Sequence, residues 1–163
     1  GAMKHIFLLR HGKAVAPVGG MDHDRELAPR GQQEAHAVGS WMAARALVPD
    51  LVLVSSATRT QQSFERWRVA AQWEGHSETT EGLYLASSYE ICDRLAELDD
   101  AIERVLLIGH NPGLEMTVRE LTDERIIMRT ATLASMTSDL DMWKHAVGRG
   151  TCALVEAYTP QFE

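Results

Sequence analysis

Short apolar runs alternate along the chain with longer segments in which apolar residues recur every three or four positions. Three mainly apolar runs cover residues 5–9, 51–54 and 105–108, and such runs are typical of strands buried on both faces of a sheet. Apolar residues with helical spacing predict helices over about residues 29–47 and 57–73. The pattern therefore predicts parallel strands connected by helices.

Two further helices are predicted from their first residues. The spacing Ser87-x-x-Glu90 is a capping box, and Asn111-Pro112 suits an N-cap followed by the first helical position. Towards the carboxyl end, residues 132–137 and 151–158 are rich in β-forming residues, and we interpret them as the closing strands. Together these elements predict the α/β class in a three-layer arrangement.

Length and composition place these elements in one domain. The chain has 163 residues, of which 45% are hydrophobic and 24% charged, as in an ordinary globular protein. We expect a single domain over residues 3–163, because Gly1-Ala2 before Met3 resembles a remnant of expression. No apolar run reaches the roughly 18 residues of a membrane span and no secretion signal is readable, so we expect a cytoplasmic protein without a membrane partner.

Net charge limits the possible partners. The formal net charge is -7, and no run of Lys or Arg is present. A nucleic-acid-binding protein normally carries a basic patch, so we predict no nucleic-acid partner. An anionic substrate would be repelled at long range and must be captured by a local pocket.

Charged and polar residues follow all three predicted inner strands. Arg10-His11-Gly12 follows the first strand, Arg59 lies in the first turn of the helix after the second, and His110-Asn111 follows the third. Because ligands in open α/β sheets bind outside the carboxyl ends of the strands, we expect two arginines and two histidines to meet in one crevice.

This combination suits phosphoryl chemistry. Arginine binds phosphate oxygens in a bidentate manner, and helix N-termini add backbone N–H donors. A neutral histidine can attack phosphorus, while a second histidine and the arginines hold the other oxygens. The prediction includes no metal ion and no cofactor, since the two guanidinium groups and the second histidine supply positive charge.

Each of these residues also has an ordinary structural interpretation. A histidine at a strand end is more often a hydrogen-bonded structural residue than a catalyst, and Arg59 could pair with a glutamate such as Glu65. We interpret Asp22-His23-Asp24 as a charged loop, with Arg25 possible at the rim of the pocket. The chemical interpretation is favoured because every part falls at the expected ligand edge.

The motifs also resemble a known family. Leu9-Arg10-His11-Gly12-Lys13-Ala14 resembles the signature of the histidine phosphatase superfamily, which has the phosphoglycerate-mutase-like fold. Gly109-His110-Asn111-Pro112-Gly113 and the short chain are most similar to the SixA-type phosphohistidine phosphatases, and residues 22–31 resemble that branch's Asp-Arg-x-Leu-x-x-x-Gly stretch. The resemblance covers nearly all of residues 3–158. It implies a mixed, mostly parallel sheet with helices on both faces.

The same resemblance implies roles for individual residues. His11 is the expected nucleophile, Arg10 and Arg59 are expected to bind the phosphoryl group, and His110 completes the pocket. We add Asn111 to the predicted phosphate-binding residues. Larger family members carry an acidic proton donor on an insertion that this chain lacks, and Glu81 is the nearest candidate for that role.

Three functions remain open at this stage. The first is removal of phosphate from phosphohistidine on a protein, whose imidazole leaving group protonates near pH 7 without a strong acid beside it. The second is hydrolysis of small phosphomonoesters, and the third is phosphate binding without catalysis. An open pocket favours the first, so the expected partner is a phosphohistidine-bearing protein, with a small phosphorylated substrate as the alternative.

Overall fold

The computed structural model describes residues 3–162, so the predicted expression remnant Gly1-Ala2 and the terminal Glu163 lie outside the described residues. Within this range the chain forms six strands and five α-helices, with two short 3₁₀ helices at Asp22–Asp24 and Glu81–Leu83. In chain order the strands and α-helices are β1 (Lys4–Arg10), α1 (Pro29–Ala44), β2 (Leu51–Ser55), α2 (Thr58–Ala71), β3 (His76–Thr80), α3 (Ser88–Ala96), β4 (Arg104–Gly109), α4 (Gly113–Thr122), β5 (Leu133–Ser138), α5 (Trp143–Ala146) and β6 (Ala153–Tyr158).

All six strands belong to one mixed sheet in the order β3-β2-β4-β1-β5-β6. The four strands from β3 to β1 are mutually parallel, whereas β5 runs antiparallel to both β1 and β6. The predicted mixed, mostly parallel sheet is therefore confirmed. Because parallel neighbours end at the same edge, the residues that follow β1, β2, β3 and β4 converge there.

Helices cover both faces of this sheet. Successive side chains of a strand point to opposite faces, and in β1 they enter two different clusters. Ile6 and Leu8 pack with residues of α3, α4 and α5. Phe7 and Leu9 pack with residues of α1 and α2. The strand is apolar throughout because both of its faces are buried, and the predicted three-layer arrangement is confirmed.

Two elements were not predicted. The strand β3 has the sequence His-Ser-Glu-Thr-Thr and is exposed at the sheet edge, where it pairs only with β2. It lacks the apolar signal that identified the inner strands. The short helix α5 is likewise too brief to show helical periodicity.

The first two helices end earlier than predicted. In α2 the chain turns at Gln72, which has a left-handed backbone conformation (φ 52°), and α1 is followed by Ala46 in the same region (φ 55°). Apolar residues just beyond each end, Leu47 and Trp73, pack against the core from the following loop. Because both residues are apolar, they continue the apolar pattern of the sequence beyond the actual end of each helix.

No helix among residues 3–162 has the length and apolar character needed to cross a membrane.

Candidate active site

The loop after β1 is held tightly against its surroundings. The backbone N–H of His11 donates to the carbonyl of Gly109 at the end of β4 (3.2 Å), and the N–H of Ala131 donates to the carbonyl of His11 (3.0 Å). The N–H of Gly12 donates to Ser63 Oγ on α2 (3.0 Å). Contacts with one strand, one helix and one loop therefore fix the backbone that carries His11.

Gly12 is required by a close approach of two backbone segments. A Cβ at this position would lie 2.3 Å from the carbonyl oxygen of Gly31, in the first turn of α1. The next residue, Lys13, donates its backbone N–H to the buried carboxylate of Glu34 (2.8 Å). The glycine of the Arg-His-Gly motif thus lets the loop lie directly on α1.

Hydrogen bonds define the tautomer of His11. Its Nδ1 lies 2.7 Å from the carbonyl oxygen of Gly12. Since a carbonyl can only accept, Nδ1 carries the proton and Nε2 carries the lone pair. That lone pair accepts a hydrogen bond from Arg59 Nε at 3.3 Å. Nε2 is therefore available as a nucleophile, and its ring orientation is fixed from the opposite side.

Burial keeps His11 neutral. The side chain is buried, and desolvation together with the charges of Arg59 and Arg10 lowers the pKa of His11 to about 4, although the hydrogen bond to Gly12 opposes this. At neutral pH the ring is therefore uncharged, as a nucleophilic nitrogen must be.

Arg59 connects the parts of the pocket. It lies in the first turn of α2, is only 3% exposed, and directs Nε to His11. Its Nη1 donates to the backbone carbonyl of Asp22 (2.8 Å), and its Nη2 donates to Asp22 Oδ2 (3.0 Å). The alternative partner Glu65 is ion-paired with Arg68 instead. A buried guanidinium beside the unprotonated nitrogen of His11 can attract an anion to that nitrogen.

His110 lies beside His11, with ring centroids 5.4 Å apart. Arg59 Nη2 donates to His110 Nδ1 (3.4 Å), so the proton is on Nε2, which donates to Ser55 Oγ at the end of β2 (2.7 Å). Burial and the neighbouring His11 and Arg59 lower the pKa of His110 to about 3. Both histidines are thus neutral and face the same arginine.

Arg10 approaches the pocket from the end of β1. Its Nη1 donates to the carbonyl oxygen of Met128 (3.0 Å), whereas its buried Nε has no hydrogen-bond partner among residues 3–162. Burial lowers the pKa of Arg10 below its usual value. An unpaired buried donor is costly, so the Nε–H of Arg10 is suited to donate to a further, anionic partner.

Asn111 is positioned differently from the expectation. Both hydrogens of its amide are used within the protein, one by Glu115 Oε2 (3.0 Å) and one by the carbonyl of Met128 (2.8 Å). Its Oδ1 accepts the backbone N–H of Glu115 near the start of α4 (3.3 Å). The residue therefore links α4 to the loop that holds Arg10, and phosphate binding by Asn111 stays a prediction.

A group of partly buried side chains closes the mouth of the pocket. Asp22 Oδ1 accepts from Arg25 (3.0 Å), and its Oδ2 accepts from the hydroxyl of Tyr84 as well as from Arg59. These donors, above all Tyr84, hold the pKa of Asp22 well below its usual range. The carboxylate is therefore ionised at neutral pH.

His23 is also part of the mouth. Its Nε2 is hydrogen-bonded to Ser56 Oγ (2.9 Å), and its ring packs edge-on against Tyr84. Residues 22–24 form a short charged turn in which Asp22 and His23 hydrogen-bond to side chains of the pocket, whereas Asp24 is exposed. Tyr84 gave no sequence signal because it follows the strand β3, which was itself not predicted.

Glu81 begins the turn after β3 and is exposed. Because β3 and β2 end at the same edge, this residue lies on the pocket side of the sheet. Its carboxylate makes no hydrogen bond or ion pair with any residue from 3 to 162. A role for Glu81 as proton donor stays a prediction. In the same range, no three His, Cys, Asp or Glu side chains are grouped so as to hold a metal ion.

Comparisons with known proteins agree with this arrangement. The family model described as histidine phosphatase superfamily (branch 1) matches residues 6–84. An uncharacterized protein of Mycobacterium tuberculosis is 36% identical over 104 residues, which are 64% of this chain and 63% of that protein. The chain therefore spans less than two thirds of that relative's length.

Two solved structures match along almost their whole length. Both are assigned as phosphohistidine phosphatase SixA. The protein from Nakamurella multipartitia is 25% identical and superposes with a TM-score of 0.86, covering 98% of each chain. The protein from Agrobacterium tumefaciens is 27% identical with a TM-score of 0.83, covering 96% of this chain and 98% of that chain. The chain belongs to the histidine phosphatase superfamily, in its SixA-type branch.

Proposed function

We propose that this protein is a phosphatase that hydrolyses phosphohistidine through a phosphorylated His11. The observation that carries the proposal is the state of His11, whose Nε2 lone pair points at Arg59 while its Nδ1–H is fixed on the Gly12 carbonyl. A structural histidine at a strand end has no need of an unprotonated nitrogen directed at a buried arginine.

The charges of the pocket suit a phosphoryl group. Arg10 provides guanidinium donors from the end of β1 and Arg59 from the first turn of α2, and the buried Nε of Arg10 lacks a hydrogen-bond partner among residues 3–162. The N–H groups of an arginine match phosphate oxygens and stabilise the charge that develops on them during transfer. His110 sits beside His11 with its own proton directed away to Ser55, so the pocket gains no further positive charge at neutral pH.

The reaction takes place in two displacements at phosphorus. His11 Nε2 attacks, the bond from phosphorus to the substrate nitrogen breaks, and its electron pair leaves with the substrate imidazole. Water then attacks the phosphorylated His11, which releases orthophosphate and restores the Nε2 lone pair. Each displacement exchanges one P–N or P–O bond for another, so no redox partner is needed.

The lack of a ready acid favours a phosphoramidate substrate. Asp22, the carboxylate at the mouth, is held ionised by Tyr84, Arg25 and Arg59, so it has no proton to give at neutral pH. An alkoxide leaving group needs such a proton. An imidazole departs as a neutral ring once its second nitrogen is protonated, which occurs with an ordinary pKa of about 6.5.

The substrate is proposed to be a protein. Both solved neighbours are assigned as phosphohistidine phosphatases, and the mouth is closed only by side chains that are themselves partly exposed. The chain we propose to act on this substrate is a single domain over residues 3–163, and its reaction uses no metal ion because Arg10 and Arg59 neutralise the phosphoryl charge.

Phosphate release tests the proposal directly. The wild-type chain should release phosphate from free N-phosphohistidine and from phosphohistidine proteins with a higher kcat/KM than from a panel of phosphomonoesters. Rapid acid-free denaturation during turnover should trap a phosphorylated protein that is stable to base and labile to acid, as expected for phosphohistidine. The His11→Ala variant should give neither signal.

Other results would support one of the alternative functions or reject the proposed nucleophile. Preference for the esters would support a small-molecule phosphomonoesterase and would favour Glu81 as its proton donor. Phosphate binding without turnover of any substrate would support a non-catalytic module. Near-normal turnover by His11→Ala would show that the proposed nucleophile is wrong.

A further inference from the structure

Three large apolar side chains stand in solvent around the mouth of the pocket. Met21 is 73% exposed, Leu85 is 55% exposed and Ile127 is 79% exposed, and they come from three different loops. Each is the immediate chain neighbour of a residue that lines or supports the pocket, and adjacent Cα atoms are about 3.8 Å apart. Those neighbours are, in the same order, Asp22, Tyr84 and Met128. We call Met21, Leu85 and Ile127 the apolar rim.

We propose that the apolar rim is the docking surface for a protein whose phosphohistidine lies at the centre of an apolar and basic surface patch. This inference rests on the proposed function, because the phosphoryl group seated between Arg10 and Arg59 determines which part of the partner faces the rim. It assigns a role to residues outside the reacting groups.

Only a macromolecule can use these side chains. A small phosphorylated molecule held between Arg10 and Arg59 leaves side chains that point into solvent uncovered. Apolar surface contributes to binding when it is removed from water, which here requires a partner wide enough to touch three loops at once. The rim therefore fits a folded protein better than a metabolite.

The backbone at Leu85 supports the same conclusion. This residue has φ 49°, in the left-handed region that asparagine and glycine occupy more easily than leucine. Such conformations cost free energy and cluster at functional sites. Here the conformation presents a large apolar side chain to solvent directly beside Tyr84 and contributes nothing to the core.

Charge on the surrounding loops indicates the character of the partner. Over residues 13–28, 81–90 and 123–130, which include the three rim residues, six carboxylates are exposed against three exposed bases, Lys13, Arg125 and Arg129. The carboxylates are Asp24, Glu26, Glu81, Glu90, Asp123 and Glu124. This net acidic surface around two arginines is complementary to a negative phosphoryl group surrounded by basic side chains. A partner with acidic flanks would be repelled by it.

The test compares protein and free substrates. Wild-type kcat/KM is measured on free N-phosphohistidine and on three proteins phosphorylated on histidine: a histidine-phosphotransfer domain, a sugar-transport phosphocarrier and a core histone treated with phosphoramidate. The best of the three proteins is then used with two triple variants.

The rim variant is Met21→Ser, Leu85→Asn and Ile127→Ser, with asparagine chosen because it tolerates the left-handed backbone. The matched control replaces three exposed valines away from the pocket edge, at 54–63% exposure, in Val48→Ser, Val69→Ser and Val155→Ser. Because all six side chains are exposed, both variants should fold, which circular dichroism and thermal unfolding verify.

The rim variant should lose at least about tenfold in kcat/KM on the phosphoprotein, mainly through KM, while free N-phosphohistidine stays within about twofold. The control variant should match wild type on both substrates.

Equal loss on both substrates, or no loss on the protein, would overturn the proposal. So would a wild-type chain that hydrolyses free N-phosphohistidine as well as every protein, although the proposed function would then stand. No turnover of any phosphoramidate would instead refute the proposed function itself.

Discussion

The floor and the mouth of the pocket are built in different ways. The floor consists of His11, Arg59 and His110, all buried and all placed just after the carboxyl end of a parallel strand. The mouth consists of Asp22, His23 and Tyr84, which lie on loops, are partly exposed and are held by side-chain hydrogen bonds. The sheet determines where the floor is, whereas only local contacts determine where the mouth is.

This difference separates two kinds of chemical role. In the proposed reaction the floor residues face the phosphoryl group directly, so changes there should lower the rate of transfer. Mouth residues reach the phosphoryl group through Arg59 or by charge, so changes there should alter binding more than the rate.

Arg59 should show the largest effect among the arginines and carboxylates of the pocket. Arg59→Ala removes the donor that faces His11 Nε2, and kcat/KM for phosphohistidine should fall by about 10²–10³-fold. Arg59→Lys should recover only part of the loss, because an ammonium lacks the planar fork. Steady-state kinetics measure both, with the exposed Arg66→Ala on the same helix as control. Full activity in Arg59→Lys would show that only charge matters at this position.

Acid pH should destabilise the floor through His11. Its pKa is lowered to about 4 in the fold and is about 6.5 when unfolded, so the unfolded chain binds more protons between these values. The free energy of unfolding should therefore fall as pH drops from about 6.5 towards 4, by roughly 3 kcal/mol from this residue. Urea unfolding across this range should give a smaller pH slope for His11→Gln than for wild type. The exposed His36→Gln is the control, and identical slopes in all three chains would contradict the expected shift.

The floor was largely predictable from sequence and the mouth was not, for a physical reason. An apolar run in the sequence predicts a buried parallel strand. The residues that follow β1, β2 and β4 must then meet at the same edge of the sheet. The strand β3 lies at the exposed edge with polar residues, so neither it nor Tyr84 beyond it could be found in this way. The contact between Asp22 and Arg59 joins residues 37 positions apart through side chains alone, which no periodicity encodes.

Asp22 should act on binding more than on rate. Asp22→Asn removes a negative charge next to the site of a dianion but leaves the backbone carbonyl that also holds Arg59. Inorganic phosphate should therefore bind about three- to tenfold more tightly, with kcat changed less than threefold, since a nearby charge contributes about 1 kcal/mol in a partly exposed site. Inhibition by phosphate and the separation of KM from kcat measure this, with Asp24→Asn as the neighbouring control. Weaker phosphate binding in Asp22→Asn would mean that its carboxylate mainly orients Arg59.

Tyr84 should show the smallest effect, and it should act only through Asp22. The hydroxyl donates to Asp22 Oδ2, which raises the pKa of Tyr84 and helps to keep the carboxylate ionised. Tyr84→Phe keeps the ring that packs against His23 and His110, so kcat/KM on free N-phosphohistidine should change by less than about threefold.

A double-mutant cycle with Asp22→Asn sharpens the test. If the hydroxyl works through the carboxylate, adding Tyr84→Phe to Asp22→Asn should change phosphate inhibition no further. An additive effect would place the hydroxyl in direct contact with the phosphoryl group and make Tyr84 part of the floor in function, although it lies at the mouth in structure.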